Sequence, residues 1–562
     1  MLRKPLWSLT ATVSLLACSG GTDPGIKPCP GGGGMPVTLA LFEYVSLDVG
    51  ANEGCAVFPA TGSAAEYLVV PQLATGTPGQ KTAFQLGGDT IRPVALAPPV
   101  GRTGIATPSA ERFHTFLRLG DERRSWGFMP ERGATPRASP SPAVRAAPPL
   151  PNSLRTFNVC AKIDCSRFDR VGARVRVLKT KVAIYVDTLA PAGGVDSIAL
   201  DSIAKVFDQR LYGVDTAAFG AESDIDANSV VLVLMTNVVN KLVTTSECQQ
   251  NGFVAGFFFG ADLDPAFQND PRSNKGEIFY SVVADPTGTL SCQHTVQEIQ
   301  AFLPITFAHE FQHMISFNQH VLVRGGSGEV LWLNEGFSHY AEELAGRSYA
   351  ATPDARTADC TIGTSECRFY VGNLFNAYKY LDSTQGHFLL PTAGLGTLAE
   401  RGAAWLFVRY LVDRHASAAT STAWNALTKS LVGTANTGAQ NIAAVTGTPF
   451  ATTVSRWALA NWMTDNGAAP AELQYSSWAL HAVFSSLHTQ RPSLFLNTYP
   501  LIPEASVGRD MDVSDTLRAG SGVYVIATQP GGDPGFTLHL TTPSGALINP
   551  SFVPRLNVIR LQ

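Results

Sequence analysis

Residues 307–317 read FAHEFQHMISF, with His309 and His313 four apart and Glu310 beside the first. Positions i and i+4 share one face of a helix, so the two imidazoles project side by side. The neighbours Phe307, Ala308, Phe311, Met314 and Ile315 are apolar and call for burial. A buried helix carrying two histidines and a glutamate is tightly constrained, because each polar group needs a partner. A metal ion is one solution. Two imidazoles one turn apart can hold a Zn²⁺ at about 2.0–2.1 Å each. The glutamate after the first histidine then points toward the open coordination position, where it can take a proton from water. Pro304 is expected to start or kink this helix just upstream.

A third donor is needed, and EVLWLNEGFSHYAEEL (329–344) supplies one: Glu335, 22 residues after His313. Glu335, His339 and Glu342 fall at i, i+4 and i+7 of a second predicted helix and face one way. Glu335 completes a set of two histidines and one carboxylate. Glu342 is placed to accept the free N–H of a ligand histidine and fix its tautomer. The bland alternative is a solvated acidic helix face. It suits Glu343, but it fits poorly with Trp332, Leu333 and Phe337 crowding Glu335.

The chain is expected to be exported. Arg3 and Lys4 precede a short apolar stretch, Leu6 to Leu16, too short to span a bilayer. It ends in Leu15-Leu16-Ala17-Cys18, which resembles a bacterial lipobox, so Cys18 is the expected lipidation site and membrane anchor. Ser19 does not suggest inner-membrane retention, which leaves the outer membrane, the cell surface or the periplasm. Setting Cys18 aside, eight of the nine cysteines remain, an even number that in an exported chain implies disulfides. Proximity suggests Cys29–Cys55, Cys160–Cys165, Cys248–Cys292 and Cys360–Cys367, although sequence order does not fix connectivity.

With 562 residues the chain is too long for one core, and about three or four domains are expected. Its net charge of −4, without a long basic run, gives no sign of a nucleic-acid partner. Patterning divides it into a signal peptide (1–18), a tether (19–36), a small β module (37–100), a Pro/Ala-rich linker (101–155), a main domain (156–470) and a C-terminal β module (471–562). The linker includes a short possible helix, SAERFHTFLRL. EYLVVPQLATGTPGQKTAFQLGG faintly echoes VYVIATQPGGDPGFTLHLTTP (523–543), which suggests two β-sandwich-like modules flanking the middle. Within the main domain, strands give way to helices at 296–318, 331–346, 399–415 and 449–465, an α+β arrangement.

HEFQHMI followed by WLNEGFSHYAEEL resembles the gluzincin metallopeptidases, and is most similar to the hyicolysin-type secreted peptidases. Aminopeptidase N and thermolysin are more distant. The likeness covers roughly residues 156–466. It implies a thermolysin-like catalytic domain, His309, His313 and Glu335 as ligands of one Zn²⁺, and Glu310 as general base and proton shuttle. It also implies an edge strand that aligns an extended polypeptide substrate, taken as GEIFYSVVAD (276–285). Two departures matter. Where aminopeptidase N-like enzymes carry an oxyanion-stabilising Tyr before E-K-G-A, LAERGAAWLF has Ala399, leaving Tyr380, His387 and Tyr370 as candidates. The G-x-M-E-N segment that grips a free amino terminus is absent, which argues for an endopeptidase. His339 sits where the relatives vary, and a surface role is expected. The competing readings are a catalytically inactive or adhesive lipoprotein that retains the zinc site, and a gluzincin-like hydrolase of a small molecule.

Overall fold

The computed structural model describes residues 29, 34–50, 54–89, 107–127, 147–392 and 394–562. The expected signal peptide, with Cys18, lies outside them. The described chain is α+β, built as a mixed sheet, a helical half packed on it, and a pair of smaller sheets.

The mixed sheet has six strands: β1 (Leu154–Cys160), β2 (Phe168–Leu178), β3 (Val182–Asp187), β4 (Val231–Met235), β5 (Gly256–Phe258) and β6 (Ile278–Ser281). Their order is β5-β6-β4-β3-β2-β1. The β6–β4 and β4–β3 pairs are parallel and the others antiparallel. β4, VLVLM, is buried at every position, as an apolar run in the middle of a covered sheet should be. The expected edge strand within 276–285 is therefore interior. The edge is β5, and its three residues pair with Phe279–Ser281. Local apolar pattern marks both segments as strand, but strand order depends on long-range pairing.

Five helices matter for the site: α1 (Ser109–Arg123), α2 (Val296–Phe317), α3 (Leu331–Arg347), α4 (Ser365–Asp382) and α5 (Leu398–His415). α2 opens with a capping box, in which Thr295 accepts from Glu298 N–H and the Glu298 carboxylate accepts from Thr295 N–H. It continues as helix through Pro304, so the expected start there does not hold. Leu303, Phe307, Phe311, Met314 and Ile315 are fully buried, and packing of this face outweighs the one hydrogen bond that proline removes. α1 falls inside the expected linker but is part of the main core, with Phe113 and Leu117 at 0% exposure.

The two ends of the chain do not form separate β modules. They interleave into one sandwich of two five-stranded sheets. In one, Gly535–Thr541 lies between Cys55–Pro59 and Lys81–Gly87; in the other, Ala65–Leu73 lies between Val525–Gln529 and Pro554–Arg560. The two echoing segments are thus neighbours in both sheets. Each alone would expose unpaired edges, and pairing removes them. Phe58, Tyr67 and Phe536 pack between the sheets. The span assigned to a C-terminal β module includes a helix, Leu480–Gln490, whose Phe484 packs on Tyr378 of α4. All four cysteine pairs suggested by proximity are disulfides.

Candidate metal centre

α2 and α3 pack so that His309, Glu310 and His313 face Asn334, Glu335, His339 and Glu342. Every residue of α3 is buried, so an acidic face open to solvent is ruled out for it. Glu343, which suited that reading, is fully buried. It accepts from Arg347, Trp405 and Trp478 and pairs with Arg409. His339 is also buried, at 7% exposure, with Nδ1 3.2 Å from Glu342 Oε1, so the expected surface role does not hold.

His309 Nε2 and His313 Nε2 are 3.1 Å apart. Glu335 places Oε2 3.7 Å from the first and Oε1 3.4 Å from the second. Donors about 2.0–2.1 Å from a common tetrahedral centre stand about 3.4 Å from one another, so this triangle has the size of a metal site. The opposite ring nitrogens are both engaged. His309 Nδ1 lies 2.7 Å from Glu342 Oε1, and His313 Nδ1 lies 3.0 Å from Asn334 Oδ1. Those oxygens accept N–H and leave both Nε2 lone pairs turned inward. Asn334 was not singled out in the sequence; its only signal there is its place immediately before Glu335.

Three observations fit a cation at this point. Glu335 Oε1 is buried without a hydrogen-bond partner. Burial pushes His313 down to about 3, so the ring is a neutral donor. Burial also opposes a charge on His309, yet Glu342, Glu310 and Glu335 outweigh it and lift that ring to about 9. The carboxylates around His309 make the pocket favour positive charge. A second grouping, His309, His339 and Glu342, also clusters. Glu342 Oε1 lies within hydrogen-bonding reach of Nδ1 on both rings, which makes it an orienting partner for them and not a metal donor.

Glu310 stands apart from the triangle. Its Oε2 accepts from the Phe258 N–H of edge strand β5 at 2.8 Å. Burial lifts its carboxyl to about 7, against the pull of His309 and Arg118. It is a carboxylate poised to exchange protons near neutral pH.

The three residues offered as oxyanion donors have partners elsewhere. Tyr380 donates to Ser521 at the sandwich, His387 meets Glu400, and the Tyr370 ring packs edge-on against Trp478. The cation that α5 brings toward the site is Arg401. Its charge reaches Glu335, and its Nε is buried without a hydrogen-bond partner. It follows Glu400 in LAERG, the segment already marked as departing from the family pattern.

The chain has a metalloprotease homologue. It is 29% identical over 144 residues to the neutral metalloprotease ShpI of Staphylococcus hyicus. The match spans 25% of this chain and 30% of that protein's length. No protein-family model matches the chain.

Proposed function

We propose that the chain is a zinc-dependent endopeptidase of the gluzincin type, carried outside the cell on a lipid anchor at Cys18. The observation that supports it most is the triangle of His309 Nε2, His313 Nε2 and Glu335, with Glu310 beside it and bonded to the edge strand. His309, His313 and Glu335 would hold the ion, and Glu342 and Asn334 would orient the two rings. When bound, Zn²⁺ supplies a Lewis acid that polarises the scissile carbonyl and makes water a better nucleophile. Glu310 takes one proton from that water as its oxygen bonds to the carbonyl carbon. It then passes the proton to the amide nitrogen as the C–N bond breaks. No covalent enzyme intermediate is required, so no serine or cysteine nucleophile is needed. Arg401, whose charge reaches Glu335, is our candidate to face the developing negative charge on the carbonyl oxygen. β5, as an edge strand, offers main-chain groups to an extended polypeptide, a mode of binding that selects no particular sequence and needs no free amino terminus.

The test is hydrolysis of casein and of an amino-terminally acetylated peptide, with and without a chelator. Both substrates should be cut internally, with activity lost on chelation and restored by Zn²⁺. Cleavage of free-amine peptides only, one residue at a time, would mean an aminopeptidase. Turnover of small esters or amides but no polypeptide would favour the small-molecule reading.

A further inference from the structure

The main-chain groups of Phe258 in β5 are already taken. Phe258 N–H donates to Glu310, and Phe258 C=O accepts from Arg118 Nη2 of α1 at 2.6 Å. Arg118 is only 1% exposed and is paired within α1 to Asp121 at 3.1 Å. A helix that merely covers a sheet edge can do so with apolar side chains. A buried guanidinium there carries a desolvation cost, which is offset here by a carbonyl of the edge strand. The rest of α1 follows the same line. Phe113 packs edge-on against Phe257, and Trp126, just beyond the helix, packs against Phe259 and Phe267. Arg124 makes a two-pronged pair with Asp264 at 2.9 Å. On its far side α1 accepts hydrogen bonds from Leu331 N–H at the start of α3 and from Leu395 N–H. A cavity lined by Glu111, Thr115, Phe388, Gly396 and Glu400 remains between it and the segment before α5. Both His114 and Glu111 of α1 lie within electrostatic reach of Arg401, and His114 also of Glu335. The helix thus spans from the edge strand to the helical half, across the Glu310 side of the metal triangle.

We propose that α1 is an internal occupant of the substrate cleft, with Arg118 in the place of the N–H donor that an extended peptide would offer to Phe258 C=O, and that it slows, without abolishing, hydrolysis by the full chain until α1 leaves. This rests on the metallopeptidase reading. The full chain can be tested with two engineered cleavage sites for a specific protease, one within 90–106 and one within 128–146, so that the helix is cut free. Release of α1 should speed loss of the site metal to dipicolinate and raise peptide hydrolysis. Synthetic peptide 107–127 added back should inhibit competitively, and its Arg118→Ala form should be weaker by about tenfold or more, the worth of a charge-assisted hydrogen bond. Metal that is stripped equally fast with and without α1, or a cut chain that loses activity and is not inhibited by the peptide, would overturn the proposal. Absence of site metal in both forms would instead overturn the metallopeptidase reading.

A separate observation carries a second inference. Asp224, Asp226 and Glu277 bring one carboxylate oxygen each within 4.8 Å of one another. Glu277 is 2% exposed and fixed through Oε1, which accepts from Ser223 Oγ and Ile225 N–H. Its Oε2 is buried with no hydrogen-bond partner. Three hard oxygen donors suit calcium, with main-chain carbonyls or water completing the set. We infer a Ca²⁺ site here, tying the loop that enters β4 to the start of β6, which pairs with it. Millimolar Ca²⁺ should raise Tm, Mg²⁺ should do so less, and Asp224→Asn, an exposed substitution, should remove the effect without changing metal at the α2–α3 site. No Ca²⁺-dependent shift in the parent chain, or a shift that survives both Asp224→Asn and Glu277→Gln, would overturn it.

Discussion

Glu310 and Glu335 are both buried carboxylates close to the same imidazoles, yet their surroundings give them opposite chemistry. Burial would raise Glu335, but His313 and His309 hold it well below the usual range, so it is a permanent anion fit to hold a cation. Glu310 has a backbone N–H and a more distant charge set, and burial carries it to about 7. Glu310→Gln should therefore leave the metal in place while hydrolysis falls by several orders of magnitude, as kcat and metal content measured on one sample would show. The pH dependence follows from the same group. Glu310 acts only as the carboxylate, so kcat/KM must fall as pH drops and the base takes up its proton. The acid limb should lie at or below about 7, because a bound cation pulls that value down. In Glu310→Gln that limb should vanish from any residual activity. Asn334 acts through His313, so Asn334→Ala should weaken metal affinity by about ten- to a hundredfold with no ligand removed. Titration against a competing chelator measures this.

At the scale of elements, the site depends on how closely α3, α4 and α5 approach. A Cβ on Gly336 would stand 2.8 Å from Val408 Cγ2 and 3.0 Å from the Ala404 carbonyl oxygen. Gly336→Ala should thus push α3 from α5 and shift Glu335 beside it, seen as weaker metal binding in a variant with every ligand intact. Glu343 gathers Arg347, Arg409, Trp405 and Trp478 behind the metal triangle. Glu343→Ala leaves two guanidinium groups buried with fewer partners. It should cost on the order of 3–5 kcal/mol, read as a lowered Tm, with metal still bound at low temperature. The two motifs on α2 and α3 were legible because they depend on helical spacing and on dense apolar flanks, both local properties. Glu343 was misjudged for the complementary reason. Its partners Arg409 and Trp478 lie 66 and 135 residues away, and a buried carboxylate reads like a solvated one until they are in place. The edge position of β5, and Arg118 beside it, were hidden for the same cause.

For the whole molecule, the sandwich joins residues near the two ends of the chain, and this too is a long-range fact. Period-two patterning showed the strands and even their echo, but not that one set pairs with the other. Deleting residues 504–562 should leave Tyr44–Asp48, Ala65–Leu73 and Lys81–Gly87 without neighbouring strands, so the shortened chain should aggregate or melt lower in a thermal scan. Tyr380, Thr384 and Gln72 hydrogen-bond across the junction between sandwich and helical half, so the loss should extend into the body that carries the site. The anchor is a separate question. Among the described residues no helix is long and apolar enough to cross a membrane, and Cys18→Ser should release the chain from membranes to the aqueous phase if Cys18 is the lipid-bearing residue. All of the proposed chemistry depends on the metal triangle. Its most direct test is elemental analysis of the parent chain, Glu310→Gln and Glu335→Ala, each purified without chelator. One zinc per chain in the first two and a clear loss in the third is the predicted result. No stoichiometric metal in the parent chain, or equal metal in all three, would contradict it.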